Sequence, residues 1–338
     1  MNILFELSKE HPTLPGNEIV SCLNAEHIPY HIIEANSDVL VISSDADVDV
    51  IKNVARRISH AFYVNEFFFT SSNSNSEIEK NAKMYPMKLS GSIAIRSTNK
   101  SKNMSSQKII DSLGDVYTKD NEVDLKNPDN EIRVYITDLK VYVGKKIMAI
   151  DRTQYEKRKG QFRPFFSPIS MHPKVARALV NLSEISTGQI IYDPFCGTGG
   201  ILIEAGLIGA NVIGSDASAK MIHGTRQNLS FYGIHPTQLF IADIGDIDSL
   251  LEKKVDAVVT DLPYGRATST MGESRDSLYP RAFEHIAKVL RPKARAVIGL
   301  PSKETISIAQ KYLSLQTYYD IRVHSSLTRY FAVFEKEP

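Results

Sequence analysis

Two short segments of this chain carry residues whose types and spacing could do chemistry. In Ile190-Ile-Tyr-Asp-Pro-Phe-Cys-Gly-Thr-Gly-Gly-Ile-Leu-Ile-Glu204 an apolar run ends in an acidic residue, passes through a glycine loop and opens an apolar helix. Gly197, Gly199 and Gly200 lack a Cβ, so the backbone can turn sharply and lie against a small ligand. In Val255-Asp-Ala-Val-Val-Thr-Asp-Leu-Pro-Tyr-Gly265 a second apolar run ends in a turn that offers a carboxylate, a carbonyl and an aromatic ring. Those three groups suit an exocyclic amine on a nucleobase. The lone pair of such an amine is delocalised into the ring, which makes it a poor nucleophile. The carboxylate of Asp261 and a backbone carbonyl at Pro263 could each accept one N–H and aim the lone pair at an electrophile, a gain from positioning and electrostatics. Tyr264 could stack on the base, which must leave its own stack to be reached.

The electrophile follows from three acidic residues that end three successive apolar runs: Asp193, Asp216 and Asp243. In an open α/β sheet, ligands bind at the carboxyl ends of the strands, where strand order reverses. Asp193 suits the cationic amino end of S-adenosylmethionine, with Phe195 and the glycines beside it. Asp216, 23 residues on, stands near the interval at which an acid reaches a ribose hydroxyl pair. Asp243 could accept from an adenine amino group. A dinucleotide loop wants a third glycine where Leu202 stands, and no phosphate-loop pattern occurs. The expected cofactor is S-adenosylmethionine, with no metal. Asp-x-Pro-x-Gly is also a good turn sequence in its own right; its place after the fourth strand of such a sheet favours the catalytic reading. Cys196 belongs to the loop rather than to the turn, so it reads as a space-filler, and His172 before Pro173 reads as a helix start.

The elements that must hold these residues are legible in the periodicities. From His172 onward strands near 189–193, 211–216, 238–242, 255–260 and 294–300 alternate with helices, which implies a parallel sheet covered on both faces. Two alternating segments, 318–324 and 329–335, form a closing hairpin. Residues 1–70 give strand, helix, strand, strand, helix, strand, the ferredoxin-like order. Phe67-Phe-Phe69 there reads as the end of a packed strand rather than a stacking platform. Residues 76–86 and 105–113 read as helices. Strands are expected at 92–96, 131–136 and 140–143, with a further apolar segment at 146–150. The fold class is therefore α/β, a doubly wound C-terminal sheet with a terminal antiparallel hairpin, preceded by α+β modules. The expected divisions are 1–72, 73–150, a linker at 151–168, and 169–338.

Length and composition suit several globular domains: 338 residues, 42% hydrophobic and 23% charged. No run reaches a membrane span and no secretory leader is visible. Two cysteines exclude a disulfide framework or a four-cysteine zinc site and suit a reducing cytoplasm. Net charge is +1, yet the charge is uneven: 4 basic against 9 acidic side chains over residues 1–60, and 17 against 13 over 61–160. From Lys140 to Lys159 there are seven basic residues against Asp151 and Glu156. Of these Lys145, Lys146, Arg152, Lys157, Arg158 and Lys159 are candidate phosphate contacts; a solvated linker face is the alternative.

Asp193-Pro-Phe-Cys-Gly-Thr-Gly-Gly200, Asp261-Leu-Pro-Tyr-Gly-Arg266, the lead-in Arg163-Pro-Phe-Phe-Ser-Pro168 and Ala176-Arg-Ala-Leu-Val-Asn-Leu-Ser183 resemble archaeal tRNA guanine N2-methyltransferases that modify position 10. Val123-Asp-Leu-Lys-Asn-Pro-Asp129 through Ile150 resembles a THUMP domain, an RNA-binding module, and residues 1–70 resemble the ferredoxin-like domain that accompanies it. The resemblance implies cofactor contacts at Asp193, Asp216 and Asp243 and catalysis at Asp261, Pro263 and Tyr264. It also implies tRNA as substrate; the chain is expected to be a cytoplasmic monomer, and the need for a small partner subunit is left open. Many members of the family have a second proline where this chain has Leu262, which leaves open whether one or two methyl groups are added. The alternatives are the same chemistry on another RNA guanine or an adenine, or an RNA-binding protein without catalysis.

Overall fold

The computed structural model describes residues 1–85, 90–119, 121–168, 170–263, 273–324 and 327–338. The chain divides into two compact units: Met1–Gly16, Ile28–Arg56 and His60–Asp151 form one, and Asn17–His27, Arg57–Ser59 and Arg152–Pro338 the other.

The first unit is built on strands β1 (Asn2–Leu7), β2 (His31–Ala35), β3 (Val39–Ser43), β4 (Ala61–Ser72), β5 (Ile93–Asn99), β6 (Asn130–Ile136) and β7 (Lys140–Ala149). They make one sheet in the order β2-β3-β1-β4-β7-β6-β5. The ferredoxin-like half continues into the later strands because β4 pairs antiparallel with β7, Phe69 opposite Val143. Helices α1 (Leu14–Ala25), α2 (Val48–Arg57), α3 (Asn75–Met84) and α4 (Ser106–Tyr117) accompany these strands, and most of α1 counts with the second unit. Phe69 is buried with Ile78, Ile109 and Leu113 of α3 and α4, so the triple phenylalanine belongs to a packed strand, which runs on to Ser72 rather than ending there. The sequence suggests two separate segments at 140–143 and 146–150; the structure has one strand. The reason is Gly144, where a Cβ would meet the Glu66 carbonyl oxygen at 2.4 Å. Only glycine permits that approach of two backbones.

The second unit is a doubly wound sheet. Its strands are β8 (Ile190–Asp193), β9 (Asn211–Asp216), β10 (Gln238–Ile241), β11 (Val255–Asp261), β12 (Leu290–Leu300), β13 (Ser314–His324) and β14 (Leu327–Glu335). The order is β10-β9-β8-β11-β12-β14-β13. The first five strands run parallel, and β14 enters antiparallel between β12 and β13, which is the expected closing hairpin. Helices α5 (Thr153–Lys157), α6 (Pro173–Leu182), α7 (Gly200–Gly206), α8 (Ala219–Phe231), α9 (Ile247–Leu250), α10 (Arg275–Val289) and α11 (Glu304–Ala309) lie between and before these strands. One core runs from Tyr192 and Val258 through Phe283 and Ile298 to Phe334. Both faces of the central strands are covered, so their sequences are apolar runs rather than alternations. His172 caps α6, its Nδ1 accepting from the Lys174 amide (3.2 Å), as a helix start should. The strand order reverses between β8 and β11, so the crevice of this sheet opens beyond Asp193 and Asp261.

Candidate functional site

The two chemistry-bearing segments leave neighbouring parallel strands on the same side. Ile191 and Tyr192 of β8 pair with Ala257 and Val258 of β11, so both strands deliver their last residues to one crevice. A cavity of about 320 Å³ lies there, lined by Asp193, Asp216, Asp243, Asp261, Pro263 and the loop from Pro194 to Thr198, among others.

The loop is set by backbone geometry. Gly197 and Gly199 have φ of +51° and +78°, a region that side chains disfavour. At Gly199 a Cβ would also meet Thr225 Cγ2 at 2.9 Å. Thr225 in turn donates to the Gly197 carbonyl (2.6 Å), and Asn228 donates to the Thr198 carbonyl (2.9 Å), so α8 fixes the loop from beneath. Cys196 is buried beside Thr225, and burial pushes its thiol well above the ordinary range. That rules out a resting thiolate and supports its reading as a space-filler.

The acidic residues differ in setting. Asp193 is buried, and its Oδ1 accepts from the Thr260 hydroxyl (2.6 Å) and the Phe195 amide (3.2 Å). Burial lifts its carboxyl to about 7, with Asp216 and Asp261 adding like charge. Asp216 accepts from the amides of Ser218 (2.9 Å) and Gly197 (3.1 Å); burial raises it, and those two bonds oppose the rise. Asp243 is half-exposed and accepts from the Gly245 amide (2.8 Å). The Arg281 guanidinium holds it below the usual carboxylate range and also bridges to Glu273. Asp261 is lifted to about 6 by burial, against the pull of Arg329, whose Nη1 lies 3.0 Å from Oδ2.

Several residues that the sequence did not single out hold Asp261 and Pro263. A Cβ at position 299 would lie 2.2 Å from Asp261 Oδ1, so Gly299 of β12 makes the space for the carboxylate. Tyr279 of α10 donates to the Pro263 carbonyl (3.0 Å). The Leu262 amide donates to the Gly299 carbonyl (3.1 Å), a bond that a proline there could not make, and its side chain lies in the core. One of these positions carried a signal: a lone glycine inside an apolar strand marks a close approach. Tyr264 lies outside the described residues.

The expected phosphate contacts do not behave as a set. Lys145 pairs with Glu66 (3.3 Å), and Lys146 pairs with Glu131. Arg152, Lys157 and Lys159 belong to the second unit, where Lys159 pairs with Glu156. Arg158 departs from the expectation. Its Nε and Nη2 reach both oxygens of the fully buried Glu204 (2.8 and 3.0 Å), which Arg177 also contacts at 2.9 Å. Leaving that carboxylate to bind a phosphate would remove its bidentate partner and leave Arg177 alone to balance a buried charge, so Arg158 serves the fold.

The cavity fits the expected cofactor by charge. Among the described residues its lining has five acidic side chains, Asp193, Asp216, Asp243, Asp261 and Glu273, and one basic, Arg329. That suits a cationic ligand and opposes a pyrophosphate. Among the described residues no cluster could hold a metal ion, and no helix is long and apolar enough to cross a membrane.

Comparison with known proteins agrees with this geometry. Residues 160–330 match the family model described as RMKL-like, methyltransferase domain, and residues 74–146 match the THUMP domain. The chain is similar to a tRNA (guanine(10)-N2)-dimethyltransferase of Methanothermobacter thermautotrophicus, 34% identical over 99% of this chain and 100% of the relative. A tRNA (guanine(10)-N2)-dimethyltransferase of Pyrococcus abyssi is 38% identical over 66% of this chain and 67% of the relative. Among solved structures, TrmN from Thermus thermophilus superposes with a TM-score of 0.56 at 18% identity, covering 99% of this chain and 100% of that one. A methyltransferase solved with SAH gives 0.52 at 15% identity, covering 100% of this chain and 98% of that one. At such identities the two structures establish the shared fold.

Proposed function

This chain belongs to the family of archaeal tRNA (guanine(10)-N2)-dimethyltransferases, and we propose that it methylates the exocyclic N2 of guanine 10 in tRNA, adding one or two methyl groups. The observation that carries this reading is the convergence of the Asp193 loop and the Asp261 turn on one acidic cavity. S-adenosylmethionine supplies the methyl electrophile. Asp193, Phe195, Gly197, Gly199, Gly200, Asp216 and Asp243 would hold it, Asp193 toward its ammonium end, Asp216 toward the ribose and Asp243 toward the adenine. Arg281 keeps Asp243 ionised and therefore able to accept.

The remaining steps belong to the protein's own groups. The target guanine leaves its stack to enter the crevice. Asp261, held ionised in part by Arg329, accepts one N–H of the amine. The Pro263 carbonyl uses one lone pair on Tyr279 and has a second for the other N–H. The nitrogen lone pair is then aimed at the methyl carbon, and Tyr264 stacks on the base. The nitrogen would take the methyl group directly: the N–C bond forms as the methyl–sulfur bond breaks, the bonding pair stays on the sulfur, which leaves as a neutral thioether, and the amine proton passes to Asp261. Lys145, Lys146, Arg152, Lys157 and Lys159 are assigned to the tRNA backbone; the THUMP match supports RNA contact by the first unit. In this reading 1–72, 73–150, 151–168 and 169–338 act as ferredoxin-like, THUMP, linker and catalytic segments of a cytoplasmic monomer.

The test is incubation with labelled S-adenosylmethionine and unmodified tRNA, followed by digestion to nucleosides and mapping. Label in N2-methylguanosine or N2,N2-dimethylguanosine at position 10 is the expected result. Label in N6-methyladenosine, or none, would overturn the reading.

A further inference from the structure

The second unit has another concave surface, away from the cofactor cavity. It is an open groove lined by Glu156, Lys157, Arg158, Lys159, Gln161, Phe162, Phe231 and Tyr232. Two features separate it from an ordinary surface cleft. Phe162 and Phe231 are 56% and 61% exposed, whereas the aromatics of the sheet core are buried. An exposed phenylalanine ring gains nothing from water, and two in one groove make an apolar platform. Of the charged lining, Lys157, Arg158 and Lys159 are basic and Glu156 acidic; Arg158 is committed to Glu204, so the cationic groups offered to a ligand are Lys157 and, in exchange for Glu156, Lys159. The acidic one, Glu156, is already engaged by Lys159 and by His172 Nε2 (3.2 Å).

The groove is also firmly built. Arg158 anchors its floor through buried Glu204. Tyr232 sets the Phe231 ring edge-on, with centroids 5.1 Å apart and planes at 86°. The lead-in Arg163-Pro-Phe that follows Phe162 is pinned to α8: the Phe165 amide donates to Asn228 Oδ1 and Asn228 Nδ2 donates back to the Phe165 carbonyl, both at 2.9 Å. Helix α8 therefore spans both sites. Met221 near its start lines the cofactor cavity, and Phe231 at its end lines the groove. Ten residues of helix separate them by roughly 15 Å. A ligand in the groove is thus a different group from any base placed in the crevice.

We propose that this groove is a second RNA subsite, which takes an unstacked nucleotide of the tRNA substrate with its base against Phe162 or Phe231 and its phosphates against Lys157 and Lys159. The inference rests on the tRNA reading above and adds a contact remote from the reacting base. Aromatic faces beside mobile ammonium groups are how sequence-tolerant sites hold single-stranded nucleic acid. Lysine suits the phosphates as a point charge that needs no fixed fork. Two ammonium groups beside two exposed rings favour a ligand that carries both phosphates and bases over an apolar protein surface.

The experiment measures affinity for an unmodified tRNA transcript and methylation kinetics, on the full chain. Replacing both rings by serine, Phe162→Ser with Phe231→Ser, is expected to raise Kd and KM for the transcript by roughly ten- to a hundredfold, at the scale of lost base stacking. The loss should fall on KM far more than on kcat. Calorimetric affinity for S-adenosylmethionine should hold, which reports on the fold of the unit. Phe162→Tyr with Phe231→Tyr keeps the ring faces and should restore binding. Lys157→Ala with Lys159→Ala should lower the slope of log K against log salt by about 2. Wild-type tRNA affinity in the serine variant, or equal loss in the tyrosine variant, would overturn the proposal and assign the rings to another partner. A wild-type chain that does not methylate tRNA would instead sink the functional reading, and the transcript affinities would still decide the groove.

Discussion

Glu6 of the first unit and Asp193 of the second are each 1% exposed, yet their surroundings have opposite character. Glu6 sits among donors. Arg133 reaches both of its oxygens (3.1 and 3.0 Å), and Asn65 and Thr98 each donate at 3.2 Å. Arg133 itself lies 3.6 Å over the Tyr63 ring and 3.5 Å from Glu131. Asp193 has one hydroxyl and one amide on Oδ1, with two other carboxylates adding to its field. A buried carboxylate that is fully met by donors stabilises a fold only if the pair stays whole. One held short of donors, among like charges, is poised for a cation that the protein itself does not supply. The first unit uses buried charge to fix a sheet, and the second keeps buried charge available for a ligand.

Four measurements would break or sharpen this contrast. The largest effect is expected where the charge is structural. Glu6→Ala leaves Arg133 buried without its main partner, which should cost about 3–5 kcal/mol of unfolding free energy. Chemical denaturation reads it, and kcat on tRNA from the remaining folded protein should not move. A fall in kcat at unchanged stability would erase the distinction between the units.

Next comes Asp261. Asp261→Asn keeps the shape and one acceptor but removes the charge. The loss of a positioned electrostatic group predicts a fall in kcat of about 10²–10³. Affinity for tRNA should remain that of the wild type in a filter-binding assay. Equal losses in both would move Asp261 from the reaction to RNA binding. Gly299→Ala tests the same carboxylate by displacement. The added methyl would overlap Asp261 Oδ1, 2.2 Å from the Cβ position, and a shift of about 1 Å at a reacting group costs on the order of 10²-fold in rate. Wild-type activity in this variant would show that the Asp261 position is not what matters.

The same contrast explains what could be read from the chain. The catalytic unit was legible because its strands are apolar on both faces, and the acidic residues that end them stand out against Val, Ile and Ala. The glycines of the loop have positive φ, so residue type and conformation coincide. What stayed hidden depends on partners distant in sequence. Arg158 looked like a phosphate contact until Glu204, 46 residues later, was seen to hold it. The strand from Lys140 to Ala149 looked broken at Gly144 because its neighbour, β4, is remote in sequence. Gly299 and Arg329 acquire meaning only in the assembled sheet, where β12 sets Gly299 opposite Asp261 of β11 and the Arg329 guanidinium of β14 reaches the same carboxylate.

The smallest effect concerns the proton on Asp193, and it tests the contrast most directly. With a folded value of about 7, above that of an ordinary carboxyl, Asp193 is largely protonated below pH 7 and ionised above it. A cation bound beside it favours the ionised form and lowers that value. Affinity for S-adenosylmethionine should therefore be greatest above pH 7. It should weaken as pH falls through 7, by at most about tenfold per pH unit for one proton. Near pH 6.5 the ligand must expel that proton, so calorimetry in two buffers of different ionisation enthalpy should report a fraction of one proton released. Asp193→Asn should remove the part of the pH dependence and of the proton release centred near pH 7, leaving only what Asp261 contributes near pH 6. Proton uptake on binding would mean that the ligand stabilises the neutral carboxyl, and the buried charge of the second unit would then be as structural as that of the first.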